Sequence, residues 1–238
     1  MRNYEMSDLT NASFVSSGPY EAAASPWSIS AIRPVYASVP KRCLDLAGAL
    51  LLVIFFLPLL SCIALLLWLE DGSPILFRQR RIGAGNREFW CLKFRTMSLD
   101  AERILLNHLA TTPSAHDEWQ QYHKLRDDPR VTTLGALLRR SSLDELPQLF
   151  NVLRGEMSLV GPRPITADEI PRYGDRFHDY LRCRPGLTGL WQISRGGRVS
   201  YSRRTELDSL YVGNWSLRRD VLILAKTVST VIRGSGAY

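Results

Sequence analysis

Cysteine and histidine, the usual protein ligands of structural zinc, are scarce in this sequence. The 238-residue chain has four of each, no two cysteines have the C-x-x-C spacing, and the histidines show no ligand spacing. These absences argue against a disulfide framework and against structural zinc, and they predict free thiols in a reducing compartment. A dinucleotide-binding motif is also incomplete, because Glu88 stands where the third glycine should follow Gly83 and Gly85.

Lysine is nearly missing as well. Of the 30 cationic residues 4 are Lys and 26 are Arg, and the formal net charge is +7. Arginine suits bidentate binding of phosphate, although a genome rich in arginine codons would give the same composition. Composition therefore indicates an anionic partner, which is nucleic acid, a lipid headgroup or a phosphorylated substrate, without choosing among them.

The first 40 residues have few apolar residues, and these are scattered singly among Ser, Ala, Asn and Pro. We predict that residues 1–40 form a disordered tail, because no helical or strand period is present. The segment is not typical of a signal peptide, since no basic stretch leads into an apolar one before Lys41.

A long apolar run follows the tail. Leu46–Leu69 comprises 24 residues without a charge, enough for a helix to cross ~30 Å of hydrocarbon. Pro58 lies near its middle and should break or kink the helix. Cations lie on both sides of the run, and such flanks stay cytoplasmic. The sequence therefore favours a re-entrant helix over residues 41–70, broken near Pro58, over a spanning helix, although a break exposes backbone groups that need partners. The flanking cations are Lys41, Arg42, Arg78, Arg80, Arg81 and Arg87.

Residues 71–238 are predicted to form one compact domain of the α+β class, mainly helical with short strands. The stretches ILFRQRRIG and REFWCLKFRTM predict two extended segments around a turn at Gly83–Asn86. Near the end, Ser216 is predicted to cap a helix whose apolar residues follow a helical period. That helix either packs on the domain or lies on an anionic bilayer.

Two carboxylates, Asp144 and Glu145, are adjacent in the stretch SSLDELP. A structural hypothesis explains them: Ser142 and Glu145 have the spacing of a capping box at the start of a helix from Leu143 to Gly155, and acidic residues suit a first turn. It predicts that substitution of Glu145 costs stability.

The surroundings favour phosphate chemistry. Arg163 lies between two prolines, which restrict its backbone, and Lys93 and Arg95 follow in KFRTM. A helix start and arginine attract phosphate, and a divalent cation lets carboxylates approach it. A carboxylate can also attack phosphorus directly. For each of these cations, a place on a solvated surface is the alternative.

Longer motifs extend this interpretation. KFRTM, SLDELPQLFNVLRGEMSLVGPRP and RPGLTGLWQ, with KRCLDL before the apolar run, resemble the bacterial sugar transferase family of small monotopic phosphoglycosyl transferases. The resemblance extends from about Lys41 to about Arg233. Within the family the chain is similar to the short type that initiates exopolysaccharide synthesis, the undecaprenyl-phosphate galactose or glucose phosphotransferases.

The resemblance implies an enzyme that moves a hexose 1-phosphate from a UDP-sugar to undecaprenyl phosphate, the first membrane step of repeat-unit synthesis. Asp144 would be the nucleophile that forms a covalent sugar-phosphate adduct, and Glu145 would help to position Mg²⁺ or accept a proton; both carboxylates would be metal ligands. Lys93, Arg95 and Arg163 would hold phosphate oxygens. The family's re-entrant helix and interfacial amphipathic helices would place the catalytic domain on the cytoplasmic face of the bacterial inner membrane, in contact with membrane lipid and not with nucleic acid.

One position departs from the family pattern. Family members usually continue after GLxQ with a Gly-Arg pair whose arginine helps to bind the nucleotide sugar, whereas this chain places Gly196 at the expected arginine position. The resemblance then leaves Arg195, which we favour, or Arg198 to make this contact, or neither of them.

Two other functions remain open from the sequence. A membrane-anchored module that binds a polyanion would be compatible with the net charge and would not need the carboxylates. A metal-dependent lipid diphosphatase would share the carboxylates and the metal but would not need polyprenyl phosphate. The sequence does not determine which sugar is transferred, which polysaccharide is made or the oligomeric state; a homo-oligomer is compatible with it.

Overall fold

The computed structural model of the protein describes residues 34–122, 125–194 and 200–232. Residues 1–33 of the predicted tail lie outside this part of the chain. Residues 34–40 differ from the prediction: a 3-10 turn forms at Val35–Ala37, Val35 is buried in the core, and the first helix begins at Val39. Folded structure therefore starts earlier than the composition of the segment predicts.

Helices make up most of the described residues, and strands are few and short. The helices are α1 (Val39–Asp71), α2 (Ala101–Thr111), α3 (Pro113–Tyr122), α4 (Thr133–Ser141), α5 (Gln148–Arg154), α6 (Phe177–Leu181), α7 (Leu190–Ile193), α8 (Tyr201–Gly213) and α9 (Leu217–Ile232). The strands are β1 (Leu76–Ile82), β2 (Glu88–Phe94), β3 (Ser158–Val160) and β4 (Gly186–Thr188). This content agrees with the predicted mainly helical α+β class.

Helix α1 contains the apolar run. The Ser38 side chain accepts a hydrogen bond from the Lys41 amide at its start, and Gly72, with φ of 70°, ends it after 33 residues. At 1.5 Å per residue the helix is ~50 Å long, and its length and composition suffice to cross a membrane. One stripe of α1 is buried against the domain, whereas large apolar residues elsewhere on it are exposed. The exposed ones include Leu51, Ile54, Phe55, Leu57, Leu65 and Leu69.

Pro58 does not divide α1 into two helices in this structure, which differs from the predicted break. The helix continues through Pro58, because a proline removes one N–H and its neighbours can keep helical conformation around a kink. The re-entrant arrangement in a membrane stays a prediction.

The N-terminal end of α1 is held by buried charges. The Lys41 ammonium lies 3.3 Å from an oxygen of Asp45 and 2.8 Å from one of Asp220 on α9, and at most 2% of each residue is exposed. Arg42 donates hydrogen bonds to two backbone carbonyls in the last turn of α5. The two cations that the sequence interprets as a membrane flank therefore also fix α1 to the domain.

Strands β1 and β2 form the predicted antiparallel hairpin, with Leu76 opposite Phe94 and Ile82 opposite Glu88. Asn151 of α5 lies at the free edge of β2, where its side chain accepts from the Leu92 amide at 3.0 Å and donates to the Trp90 carbonyl at 2.7 Å. These two bonds replace ladder bonds that a further strand would make. They fix α5 beside the hairpin.

Strands β3 and β4 pair in parallel in the core, beside the N-terminal half of α1, α5 and α9. Glycine is required where the start of β4 meets the residue after β3, since a Cβ on Gly186 would lie 2.1 Å from the Gly161 nitrogen. The predicted cap of the last helix is confirmed, because the Ser216 hydroxyl accepts from the Arg219 amide at 3.3 Å. Helix α9 packs on the domain through buried Ile223.

Candidate active site

The two adjacent carboxylates lie on a short turn between two helices. Helix α4 ends at Ser142, which has a left-handed φ of 58°, and a 3-10 turn over Leu143–Glu145 leads to Pro147 and α5. The predicted capping box is wrong. The Ser142 amide already donates to the Arg139 carbonyl, the Ser142 side chain makes no capping bond, and the Glu145 carboxylate faces away toward β2. The end of the helix at Gly155 is as predicted.

Lys93 on β2 meets both carboxylates. Its ammonium lies 2.7 Å from an oxygen of Glu145 and 3.8 Å from an oxygen of Asp144. The side chains of Lys93 and Glu145 are 31% and 34% exposed, whereas that of Asp144 is 12% exposed. The cluster therefore opens to solvent at Lys93 and Glu145 and buries Asp144 deeper.

Burial raises the pKa of the Asp144 carboxyl above its usual value. The positive charge of Lys93 opposes this shift, the negative charge of Glu145 adds to it, and Arg139 opposes it again. Asp144 is thus a carboxylate with poor hydration, whose negative charge depends on Lys93. Poor hydration of this kind is typical of a carboxylate that reacts or binds an electrophile.

Arg139 belongs to this site and was missed by the sequence interpretation. It lies in the last turn of α4, and its Nε donates to the Thr96 hydroxyl at 2.9 Å. Two arginines directly before SSLDELP are the signal that could have indicated it, since cations often end a helix that an acidic turn follows.

Arg163 lies in a second cluster, together with Trp191 and Asp208. Its guanidinium is 5.5 Å from the ring of Trp191, and its backbone amide donates to Asp208. Arg163 is not among the principal charges that shift the pKa of Asp144. Arg163 and Lys93 both lower the pKa of the buried Cys91 thiol. Burial raises the pKa of that thiol to about 11. Cys91 on β2 is therefore a shared neighbour of Lys93 and Arg163.

The second cluster extends around Asp208, another residue that the sequence interpretation missed. Asp208 on α8 is 2% exposed and accepts a hydrogen bond of 2.8 Å from the Tyr173 hydroxyl. Nearby, Glu169 lies between Arg81 and Arg204, at 3.3 Å and 3.2 Å. The members come from distant parts of the chain, so no local motif brings them together.

Arg95 lies beside the end of α1. Its guanidinium donates to the carbonyls of Leu67 and Gly72 at the end of α1, both at 3.1 Å, and to that of Pro74 at 2.6 Å, and the residue is 8% exposed. These bonds join the last turns of α1 to the segment that leads into β1. Arg95 therefore holds the end of α1 and the segment after it, and its phosphate contact stays a prediction. Arg195 and Arg198 lie outside the described residues.

The fit of the site to a divalent cation rests on two carboxylates. In the part of the chain that the structure describes, no three side chains of His, Cys, Asp or Glu gather as a metal site. Mg²⁺ does not need such a cage, because it is commonly bound by one or two carboxylates together with substrate phosphates and water. Asp144 and Glu145, on one turn and partly open to solvent, fit that mode.

A long apolar helix joined to a small domain with a lysine and two carboxylates at its surface indicates a membrane-associated enzyme that handles phosphate groups. Comparison with known proteins identifies the family. Residues 36–234 match the sequence profile of the Bacterial sugar transferase family, and the chain belongs to that family.

Individual relatives agree with this assignment. The chain is 47% identical over 213 residues to the exopolysaccharide production protein ExoY of Sinorhizobium fredii, a match that covers 90% of this chain and 94% of that protein. It is 45% identical over 201 residues to the undecaprenyl-phosphate galactose phosphotransferase of Salmonella typhimurium, covering 83% of this chain but 41% of that protein. It is 41% identical over 212 residues to the UDP-glucose:undecaprenyl-phosphate glucose-1-phosphate transferase of Caulobacter vibrioides, covering 86% and 74%.

Proposed function

We propose that this protein is a phosphoglycosyl transferase that moves a hexose 1-phosphate from a UDP-sugar to undecaprenyl phosphate, the first membrane step of exopolysaccharide synthesis. One observation carries the proposal: the buried carboxylate of Asp144 lies beside the cation of Lys93 in a domain joined to a membrane-length helix. Two relatives are named for transfer to undecaprenyl phosphate, and a third is named for exopolysaccharide production.

In the first step, an oxygen of Asp144 attacks the phosphorus bonded to the sugar. The bond from that phosphorus to the oxygen of the UMP leaving group breaks, and UMP departs with the electron pair. The sugar phosphate is then held on Asp144 as an acyl phosphate. Lys93, 3.8 Å from Asp144, supports this step because its charge keeps Asp144 ionised and attracts the diphosphate.

In the second step, a phosphate oxygen of undecaprenyl phosphate attacks the same phosphorus. The acyl phosphate bond breaks, Asp144 regains its carboxylate, and the product is undecaprenyl diphosphate sugar. Glu145 accepts a proton from the incoming phosphate if that group is protonated, or it helps to hold a metal ion. When bound by Asp144 and Glu145, Mg²⁺ would neutralise phosphate charge.

The course of α1 along the domain supports a re-entrant arrangement at the cytoplasmic face of the inner membrane. At the start of the helix Lys41 pairs with Asp220 of α9, and near its end the Leu67 carbonyl accepts a hydrogen bond from Arg95, the residue after β2. A helix that crossed the bilayer would carry one of these ends away from the domain. Labelling of single-cysteine variants at exposed Cys43 and at a site after Asp71 should then give the same sidedness in sealed vesicles, whereas opposite sidedness would contradict the proposal.

The function is tested by incubating the purified enzyme and Mg²⁺ with a panel of UDP-sugars, with and without undecaprenyl phosphate. A transferase releases UMP in amounts that match the lipid-linked sugar, and Asp144→Asn abolishes this. Free sugar phosphate formed by hydrolysis of undecaprenyl diphosphate sugar, with neither UDP-sugar nor undecaprenyl phosphate added, would indicate a lipid diphosphatase instead. Binding of a polyanion that survives Asp144→Asn, with no UMP released by wild type, would indicate a binding module. An adduct of sugar-phosphate mass on wild type, missing in Asp144→Asn, tests the covalent step.

A further inference from the structure

Phe77 lies directly opposite Lys93 in the β1–β2 hairpin. Opposite residues of an antiparallel pair point to the same face of the sheet, with Cβ atoms about 4.5–5.5 Å apart. The phenyl ring therefore adjoins the lysine whose ammonium contacts Glu145 and Asp144. An apolar ring is thus placed at the edge of the cluster that the proposed reaction uses.

Exposure distinguishes Phe77 from the rest of this face of the hairpin. Phe77 is 51% exposed, whereas Phe89 and Cys91 are buried and Gln79 is half-buried, with its side chain accepting a hydrogen bond from Arg81. A single exposed apolar residue needs no explanation in general. Here the exposed ring of Phe77 lies at the same end of the face as Lys93, so this apolar surface adjoins a charged group.

The segment before Phe77 connects this ring to the membrane helix. The chain leaves α1 at Gly72, and Ile75 and Leu76 then pack against residues of the C-terminal half of α1, including Leu60 and Leu67. Phe77 follows immediately, with its side chain on the other face of the strand. Phe77 is therefore close in sequence to α1, while its ring lies on the face of the hairpin that carries Lys93.

The lipid substrate of the proposed reaction likewise has an apolar group next to a charged one. Its phosphate is attached directly to an isoprenoid chain, so that, when the phosphate approaches Asp144 and Lys93, the first isoprene units must lie within a few ångströms of the cluster. In the UDP-sugar the transferred phosphate has a hydroxylated sugar on one side and a second phosphate on the other, and both are more polar than an isoprene unit. We propose, on the basis of the function above, that Phe77 forms the wall of a subsite for the first isoprene units of undecaprenyl phosphate.

The test compares the two substrates in a Phe77→Ala variant. Loss of the ring should raise the KM for undecaprenyl phosphate roughly five- to thirtyfold, while the KM for the UDP-sugar stays within about twofold of wild type. Phe77→Leu, which keeps an apolar side chain, should recover most of the affinity. A rise in the UDP-sugar KM instead would assign the ring to the nucleotide, and unchanged values for both would remove the subsite.

Trp90 provides a matched control, because it is 49% exposed on the same hairpin but points to the opposite face. Trp90→Ala should leave both KM values unchanged. The assays use a short-chain polyprenyl phosphate in detergent, where anchoring of the protein in a bilayer plays no part; an effect of Phe77→Ala in vesicles alone would show a membrane anchor and overturn the subsite. If the wild-type enzyme transfers no sugar phosphate, the proposed function itself is refuted. If wild type is active and only the Phe77 prediction fails, the subsite alone is refuted.

Discussion

The ammonium of Lys93 lies 2.7 Å from the carboxylate of Glu145, which is 52 residues further along the chain. This pair distinguishes the two acids that the sequence presents side by side. Glu145 neutralises most of the lysine charge at the solvent edge, whereas Asp144 lies 3.8 Å away in a less hydrated position. The carboxylate with the weaker pairing is the one that we propose as the nucleophile.

Lys93 should control the pH range of the reaction. Burial raises the pKa of Asp144, and Lys93 opposes that shift; removal of the ammonium should raise the pKa of Asp144 further. Because the attacking group must be ionised, we expect the acidic limb of the kcat/KM profile to move to higher pH in Lys93→Met, with a loss of roughly 100-fold at neutral pH. Lys93→Arg keeps the charge and should keep the limb near its wild-type position. An unchanged limb in Lys93→Met would contradict the coupling.

Glu145→Gln should affect rate much more than stability. The capping box that would have linked Glu145 to stability is not formed, and its pair with Lys93 is about one third exposed, so we expect the free energy of unfolding to change by at most about 1 kcal/mol. Activity should fall but remain measurable, whereas the matched Asp144→Asn variant should be inactive. A loss of more than about 2 kcal/mol, measured by denaturant titration in detergent, would reveal a structural role of Glu145.

Local signals predicted the parts of the fold that depend on neighbours in sequence. The hairpin follows from two extended stretches around a glycine turn, the end of α5 from Gly155, and the start of α9 from Ser216. In each case the deciding interaction lies within a few residues of the signal. Family motifs likewise identified Asp144, Glu145, Lys93, Arg95 and Arg163 as site residues, and the structure brings the first three together.

Interactions across long stretches of the chain decided the rest. Ser142 is a local exception: its amide donates to the Arg139 carbonyl three residues earlier, so Ser142 ends α4 with a left-handed φ instead of starting a helix. The motif predicts Arg95 as a phosphate ligand beside Lys93, but in the structure its guanidinium donates to the carbonyl of Gly72, 23 residues earlier at the end of α1. Asp208 carries no motif, and its partners Tyr173, Arg204 and the Arg163 amide come from other parts of the chain. Such partners become visible only when the chain is folded.

Arg95 should contribute to stability instead of substrate affinity. Its guanidinium donates three bonds to backbone carbonyls around the end of α1. Arg95→Met leaves these carbonyls without that donor, and we expect the free energy of unfolding to fall by about 2–4 kcal/mol. Arg95→Lys, which can satisfy fewer carbonyls, should lose less. At a temperature where the variants are folded, the KM for the UDP-sugar should match wild type; a raised KM with unchanged stability would restore the phosphate contact.

Asp208 should make stability depend on pH between about 4 and 7. Burial raises the pKa of its carboxyl from 3.8 to about 7 in the folded protein. The folded state then holds a proton that the unfolded state releases, so the contribution of Asp208 to the free energy of unfolding falls as pH rises through this window and levels off above it. Asp208→Asn cannot ionise, and its unfolding midpoint should fall less between pH 5 and pH 8 in one detergent.

The exposed Asp168→Asn serves as the control and should keep the wild-type pH slope. Equal slopes in wild type and Asp208→Asn would mean that Asp208 stays ionised throughout the window. The Tyr173 hydroxyl, Arg204 and the Arg163 amide would then outweigh burial, since all three favour the charged form. In that case the carboxylate would hold the Pro162–Pro164 segment through a charge-assisted bond at every pH where the enzyme works. A steeper wild-type slope would instead show that this bond weakens toward lower pH, as Asp208 takes up its proton.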